Sequence, residues 1–159
     1  MKKVFLPIIG TAIFIIAVGL LMKSSIVKPP SNIQTQVGTK TITVGAKTLS
    51  VEVADTESEK QKGLGGKSNL PQDSGMLFVF ASKQARHTFW MKDMQFAIDI
   101  IWISNGKVVQ IDKDAKTEPG VADQNLRRYS SQVSVDYILE VNAGFSDRNN
   151  IKVGDATTL

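Results

Sequence analysis

The sequence contains no cysteine among its 159 residues. Disulfides, thiolate metal ligands, a cysteine nucleophile and a lipid attached to cysteine are therefore excluded. Histidine occurs only once, as His87, which also excludes a metal centre with several histidine ligands. Neither a Gly-x-Ser-x-Gly motif nor a His-x-x-x-His motif is present. The sequence therefore offers no compact catalytic motif from which a reaction could be assigned.

Long apolar runs are equally scarce, because only residues 4–22 form one. This run carries no charge, and as a helix it would span roughly 28 Å, about the thickness of a bilayer core. Lys2 and Lys3 precede the run, and the bias of basic residues toward the cytoplasm predicts that residues 1–3 lie inside. We predict a single-pass transmembrane anchor that holds the following chain outside the cell membrane.

A cleaved signal peptide is the alternative interpretation of residues 4–22, and cleavage would release a secreted domain. Signal peptides usually have a shorter apolar core, of roughly 7–15 residues, followed by a small-x-small cleavage site. Here the bulky residues Leu20, Leu21 and Met22 stand before Ser24, which makes a poor cleavage site. A retained anchor is favoured, and both interpretations deliver an exported domain.

The positive charge is confined to the N-terminal part of the chain. The net charge of +4 equals the contribution of Lys2, Lys3, Lys23 and Lys28, since no acidic residue occurs before residue 36. From residue 36 onward, fifteen basic residues face fifteen acidic residues. A basic stripe of the kind that binds phosphate backbones is absent from this part of the sequence, so no nucleic-acid partner is expected.

Residues 23–40 are polar, and Pro29-Pro30 stiffens their start, so we predict a stalk there. A domain is predicted over residues 41–159. It opens with alternating apolar residues on both sides of Gly45, a pattern that indicates a β-hairpin over residues 42–53. Thr56 and Glu59 then have the spacing of a capping box, which predicts a short helix over residues 57–62.

The pair Asn105-Gly106 stands between the apolar runs 100–103 and 108–111, which is the strongest short hairpin signal in a sequence. Further strands are predicted over residues 76–80, 87–92, 96–103 and 135–141, one or two helical turns over residues 143–149, and a closing strand and turn over residues 151–155. At least seven strands with so little helix indicate a mostly β fold. We predict a compact, jelly-roll-like β-sandwich or a partly closed barrel with one or two short helices.

Several short motifs together carry a resemblance to a known family. They include Gly75-Met-Leu-Phe78, Phe89-Trp-Met-Lys92, Ile98-Asp-Ile100 and Ile151-Lys-Val-Gly-Asp155. In this order and spacing the sequence resembles domain-of-unknown-function family 192 (DUF192) from about residue 51 to residue 155. The resemblance implies a jelly-roll type of β-sandwich behind an export signal or anchor, and it implies no catalytic residues. The chain departs from the family pattern at Gly65, Asp93 and Ala97.

The candidate ligand-binding residues are Trp90, Lys92, Asp93 and Asp99. Asp99 interrupts the apolar strand predicted over residues 96–103, where a carboxylate without a partner is costly to bury. The simpler interpretation is an ion pair of Asp99 with Lys92, with Trp90 as part of the core. The functional interpretation, a pocket that contains all four residues, predicts a non-catalytic binding module for a small polar or sugar-like ligand or for a partner protein.

A hydrolase or transferase is the alternative function. It would use Asp99 for proton transfer, with His87 or Glu140 as its partner, and it requires these side chains on one face of the sheet. No nucleophile can be named, so an enzyme is the less favoured prediction. No metal and no cofactor are expected from the sequence.

Overall fold

The structure is a computed structural model, and it describes residues 38–82 and 85–159. The anchor predicted over residues 4–22, and nearly all of the predicted stalk, lie outside the described residues. Within the described ranges, no helix is both long enough and apolar enough to cross a membrane.

The described residues form nine strands, two short α-helices and one 3-10 helix. The strands are β1 (Thr39–Val44), β2 (Lys47–Ala54), β3 (Ser74–Val79), β4 (Thr88–Phe89), β5 (Ile98–Ser104), β6 (Lys107–Ala115), β7 (Tyr129–Ser130), β8 (Tyr137–Asn142) and β9 (Thr157–Thr158). The helices are α1 (Glu57–Lys62) and α2 (Phe145–Arg148), and the 3-10 helix covers Asp123–Asn125. The fold is therefore mostly β, as predicted.

Seven of these strands form one sheet in the order β6-β5-β8-β3-β2-β1-β9. All neighbours are antiparallel except β2 and β3, which are parallel and are joined by a crossover that contains α1. β4 and β7 pair separately as a two-stranded ribbon. The sheet thus supplies the frame, and α1 and the ribbon are additions to it.

Backbone hydrogen bonds connect the two ends of the seven-stranded sheet. The amide of Val108 in β6 donates to the carbonyl of Asp155 (2.9 Å), and the amide of Thr157 in β9 donates to the carbonyl of Gly106 (2.8 Å). β6 and β9 are the two ends of the strand order, so these bonds require the sheet to curl. The result is a half-barrel, which matches the predicted partly closed barrel rather than the predicted sandwich.

The strands bury apolar side chains on both faces of the curled sheet. On one face Val44 of β1 and Val108 of β6 belong to the same apolar cluster, although their strands are far apart in the strand order. This face must therefore be the concave one, and we call its cluster the barrel core. The opposite face carries a second cluster around Phe78 and Trp102, which we call the outer core. Loops, α1 and the β4–β7 ribbon cover it.

Local sequence signals correctly placed the first helix and both hairpins. In α1 the Oγ1 of Thr56 accepts a hydrogen bond from the Glu59 amide (3.2 Å), and the Glu59 carboxylate accepts one from the Thr56 amide (3.0 Å). The turn between β5 and β6 has positive φ at Asn105 (51°) and at Gly106 (68°). Both central residues of a type I′ hairpin turn require positive φ, which is why Asn-Gly favours it.

Two predicted strands were wrong in extent or position. The strand predicted over residues 87–92 is limited to Thr88–Phe89, because the chain turns immediately afterwards and reaches a positive φ of 56° at Asp93. Within residues 151–155 the predicted turn is present at Val153-Gly154, but the predicted strand is wrong, because the last strand is instead Thr157–Thr158. In each place one apolar side chain, Met91 or Ile151, is buried in a core although its backbone is irregular, so the apolar pattern was not a reliable strand signal.

Candidate functional site

A cavity of about 190 Å³ lies on the outer face of the sheet, between α1 and the segment that carries β4. We call it the α1–β4 pocket. Its lining comes from residues 60–65, from Phe78 and Phe80 at the end of β3, from the segment around β4, and from Glu140 in β8. The parallel crossover brings α1 to this place, since it must pass over the face of the sheet between β2 and β3.

Aromatic side chains form the floor of the α1–β4 pocket. The ring of Phe78 meets the ring of Phe89 edge to face, with 4.8 Å between centroids. Phe89 in turn contacts the buried ring of Trp102 at 5.9 Å in the same geometry. Phe80 stacks on the imidazole of His87, with a centroid distance of 3.6 Å. These contacts hold the floor rigid, because each ring is fixed by another ring.

Glu140 places a buried carboxyl group at this aromatic floor. The residue is 5% exposed, and its Oε2 atom has no hydrogen-bond partner within the described part of the chain. Burial raises the pKa of Glu140 to about 8, because the ionised form loses its hydration there. At neutral pH this side chain is therefore a carboxylic acid, which can both donate and accept a hydrogen bond.

Gly63 follows α1 and lies over the Glu140 carboxyl. Its backbone has φ 49° and ψ −137°, a conformation that only glycine adopts readily. A Cβ atom at this position would stand 3.9 Å from Oε2 of Glu140 and 3.4 Å from the ring of Phe78. The absence of a side chain at Gly63 thus keeps the space above the acid open.

His87 is the second residue of the pocket lining with a buried polar atom that has no partner among the described residues. Its Nε2 atom is buried and has no hydrogen-bond partner within residues 38–82 and 85–159. Burial, and secondarily the charge of Lys60, lower the pKa of the imidazole, so it is neutral at pH 7. The backbone is fixed because the amide of Ser131 donates to the His87 carbonyl (3.2 Å).

Basic side chains surround the mouth of the pocket. Lys60 pairs with Glu57 (2.8 Å), and Lys92 pairs with Asp123. Lys62 lines the pocket and pairs with no carboxylate of the described chain.

Trp90 completes the mouth. Its side chain lines the pocket although it is 43% exposed, and the guanidinium of Arg128 lies 4.3 Å from the centre of its ring. This cation–π contact covers one face of the indole and adds another positive charge beside the lysines.

The structure brings together some of the predicted site residues and separates others. Trp90 and Lys92 line the α1–β4 pocket, as do His87 and Glu140 from the alternative prediction. Asp93 instead lines a smaller neighbouring depression of about 120 Å³. The four residues predicted as one binding site therefore do not share a cavity.

Asp99 has a structural position away from the pocket. Its Oδ1 accepts hydrogen bonds from the amides of Asp114 (3.0 Å) and Gly144 (3.1 Å), and its Oδ2 accepts one from the amide of Ser146 (2.9 Å). The carboxylate joins β5 to β6 and to the start of α2. The ion pair predicted with Lys92 is therefore wrong, because Lys92 pairs with Asp123 and Asp99 binds backbone amides instead.

The predicted proton-transfer pair of Asp99 with Glu140 is also corrected. In the β5–β8 ladder Glu140 stands opposite Ile100, whereas Asp99 stands opposite Val141. Side chains that are directly opposite share a face, so the two acids project from opposite faces of the sheet. Among the described residues, no group of three or more acidic or histidine side chains is placed to hold a metal ion.

Sequence reasoning missed the aromatic floor and Gly63 as parts of the site. One signal was available, because the apolar strand of residues 137–141 is interrupted by Glu140 just as residues 96–103 are interrupted by Asp99. The capped helix followed by Gly63 was a second signal. Neither one reveals that the helix and the acid meet, since they are distant in sequence.

The described residues define a class of protein, a half-barrel β domain with an aromatic pocket on its convex face. The model of the DUF192 family, described as Uncharacterized ACR, COG1430, matches residues 39–159. The chain belongs to the DUF192 family, which confirms the resemblance seen in its motifs. No curated protein matches this chain.

Two solved structures are similar to this domain. The first, from Sinorhizobium meliloti 1021, is described by its investigators as a suggested transcription regulator; it is 26% identical, with a TM-score of 0.69, and the match covers 77% of this chain and 94% of that one. The second is a protein of unknown function from Novosphingobium aromaticivorans DSM 12444, with 24% identity and a TM-score of 0.71, covering 83% of this chain and 93% of that one. Both likenesses support the half-barrel fold.

Proposed function

We propose that the domain is a non-catalytic binding module, which takes up a small ligand in the α1–β4 pocket. The observation that carries the proposal is that Glu140 and His87 both line this aromatic cavity and that each has a buried polar atom, Oε2 and Nε2, without a partner among the described residues. A buried polar atom without a partner lowers the stability of the fold. A ligand that pairs with these atoms would remove that cost.

The lining of the pocket is typical of a small-molecule site, since apolar walls surround a few converging polar groups. The residues of the lining also restrict the kinds of ligand that were predicted from the sequence. Phe78, Phe80 and Phe89 offer no hydrogen bonds to hydroxyl groups, so a ligand with an apolar body fits better than a fully hydroxylated sugar. A partner protein could reach the mouth of the pocket but could insert only a single side chain into it.

The domain fragment Gln36–Leu159 is suitable for a test, because this range forms one compact unit. Both apolar cores and all strand pairings of the described residues lie within it. The match also covers 94% of the solved relative from Sinorhizobium meliloti 1021, so a chain of nearly this extent folds without a large additional segment.

The test is an NMR titration of this fragment with phenol, indole and benzoate. We expect at least one probe to shift the amide signals of Gly63, Gly65 and Phe89. Met94→Phe, which fills the pocket, should abolish the shifts, whereas Val153→Phe at an exposed position should leave them unchanged. If no probe shifted these amides at about 10 mM, or if Met94→Phe had no effect, the proposal would fail.

A second candidate function, a hydrolase or transferase, is favoured by one observation. Glu140 with a raised pKa and His87 with a lowered pKa line the same pocket, and such opposed shifts suit an acid and a base. This candidate replaces Asp99 with Glu140. The test is hydrolysis of p-nitrophenyl acetate by the fragment. A rate above background that is lost in both Glu140→Gln and His87→Gln would favour the enzyme over the binding module.

We further propose that residues 4–22 keep the pocket outside the cell membrane. The support is the uncharged run itself and the two lysines before it. Sequencing the mature N-terminus tests the proposal, because a start at or beyond Lys23 would mean that the segment is cleaved. A nucleic-acid partner is not part of the proposal, since the charges from residue 36 onward balance.

A further inference from the structure

The ionised side chains that line the α1–β4 pocket all carry positive charge. From α1, Lys60 and Lys62 line the cavity, and from the segment after β4, Lys92 does so. The other titratable groups in the lining are His87, which is neutral at pH 7, and Glu140 on β8, which is protonated there. An entering molecule therefore meets three ammonium groups and no ionised carboxylate from the lining.

The carboxylates just outside the pocket balance only part of this charge. Glu57 pairs with Lys60, Asp123 pairs with Lys92, and Asp93 adds a further negative charge near Lys92. Lys62 has no carboxylate partner within the described residues, and Arg128 adds a further positive charge over Trp90. A concave site with apolar walls focuses such a field and raises the local concentration of anions.

At Glu140 the pocket offers a hydrogen-bond donor rather than a positive charge. Glu140 is a neutral acid there, and its hydroxyl can donate a hydrogen bond to an uncharged acceptor. A carboxylic acid held neutral in an apolar site is an effective donor. Phe78 and Phe89 line the pocket together with this donor and the lysines, so a ligand that contacts both kinds of polar group also contacts apolar rings.

Resting on the proposed binding function, we infer that the ligand is a small organic anion with an apolar body. Its acidic group pairs with Lys62 at the mouth, its body lies on the phenylalanine rings, and a hydrogen-bond acceptor at its far end reaches Glu140. The pocket therefore selects by charge at the mouth and by hydrogen bonding at its base.

A series of three probes with the same ring tests the preference for an anion. Phenylacetate is negative, 2-phenylacetamide is neutral and 2-phenylethylammonium is positive at pH 7. In NMR titrations of the Gln36–Leu159 fragment at low salt, we expect phenylacetate to bind at least about fivefold more tightly than the amide. The ammonium compound should bind most weakly, because it meets the lysines.

Two variants that each remove one positive charge test whether Lys62 causes this preference for an anion. Lys62→Gln should weaken the binding of phenylacetate about threefold to tenfold. The same variant should leave the affinity for 2-phenylacetamide unchanged. Lys113→Gln is the control, since Lys113 is exposed and pairs with Asp147 outside the pocket lining. Equal effects of both variants would mean that only the net charge matters, and this would overturn the assignment of Lys62.

The hydrogen bond at the base is tested with 4-acetylphenylacetate, whose added carbonyl can accept but cannot donate. At pH 7 we expect it to bind more tightly than phenylacetate, and at pH 9, where Glu140 is ionised, this gain should disappear. In Glu140→Gln, 4-acetylphenylacetate should bind more tightly than phenylacetate at both pH 7 and pH 9, because the glutamine amide remains a hydrogen-bond donor. A gain that survived at pH 9 in the unaltered protein would contradict the role of Glu140.

The outcomes separate this inference from the binding function. If the ammonium compound bound most tightly, or if all three probes bound with equal affinity, the proposed preference for an anion would be overturned. The proposal that the domain is a binding module would then still hold. If none of the three probes shifted the pocket amides, and phenol and indole also failed, the binding function itself would be overturned.

Discussion

Asp99 and Glu140 lie on the neighbouring strands β5 and β8 but project from opposite faces of the same sheet. Both are acids within apolar strands, and both are almost completely buried. Asp99 accepts three hydrogen bonds from backbone amides, whereas Oε2 of Glu140 accepts none from the described residues. One acid is therefore satisfied by the backbone of the fold, and the other lines the α1–β4 pocket with one oxygen that has no partner among the described residues.

Replacing Asp99 should damage stability rather than binding. Asp99→Ala leaves three backbone amides, one buried and two partly buried, without their acceptor, and we expect the free energy of unfolding to fall by at least about 3 kcal/mol. Urea denaturation of the Gln36–Leu159 fragment measures this. Asp73→Ala is the control, because Asp73 is 59% exposed and pairs only with Lys47 at the surface, so it should cost less than about 1 kcal/mol. Similar costs for both variants would contradict the structural role of Asp99.

Glu140 should make stability depend on pH in an unusual direction. Its folded pKa of about 8 lies above the unfolded value of 4.5, so the folded state retains its proton while the unfolded state loses it. Stability should therefore fall as pH rises toward 8, by up to about 1.4 kcal/mol per pH unit, and should level off above that.

The comparison with Glu140→Gln isolates this effect between pH 6.5 and 8.5. The variant should have a flatter profile of unfolding free energy and should be more stable than the unaltered protein at pH 8.5. This pH range is chosen to exclude the titration of His87. The lowered pKa of His87 makes stability fall as pH decreases, and this loss begins only below pH 6.5. Parallel profiles for the two proteins would show that Glu140 does not titrate in this range.

Gly63 and Gly66 offer a matched test of the backbone over the pocket. Both have positive φ, but Gly63 combines φ 49° with ψ −137° and faces Glu140, whereas a Cβ at Gly66 would meet nothing within 4 Å. We expect Gly66→Ala to lower the free energy of unfolding by about 1 kcal/mol, and Gly63→Ala to lower it by about 2–3 kcal/mol. Only Gly63→Ala should also weaken probe binding in NMR titrations. Equal losses of stability and of binding would place Gly63 outside the site.

The two tryptophans should differ in their access to solvent. Trp102 is fully buried, and its Nε1 donates to Asp112 (2.6 Å), whereas Trp90 is 43% exposed at the mouth of the pocket. In Trp90→Phe, the remaining fluorescence should resist quenching by acrylamide. The unaltered protein should contain a quenchable component that phenylacetate protects. Strong quenching in Trp90→Phe would mean that the outer core opens to solvent.

Local signals in the sequence were sufficient where the chain contacts mainly its own neighbours. Asn105-Gly106 specified its hairpin because few residue pairs tolerate two positive φ angles, and Thr56 with Glu59 specified the start of α1 because both hydrogen bonds form within four residues. The strand predicted over residues 87–92 failed for the opposite reason. Its alternation reflects contacts with distant elements, and the backbone turns at Asp93 to make them.

The sequence by itself determined the mostly β domain, its family, its hairpins, its first helix and the balance of its charges from residue 36 onward. Only the tertiary structure decided which buried acid has partners and which faces a cavity. Asp99 and Glu140 interrupt apolar strands in the same way, so no local pattern distinguishes them. Their environments differ because the bulge in the β5–β6 pairing and the turn from β8 into α2 bring backbone amides to Asp99, whereas the crossover places α1 over the face that carries Glu140.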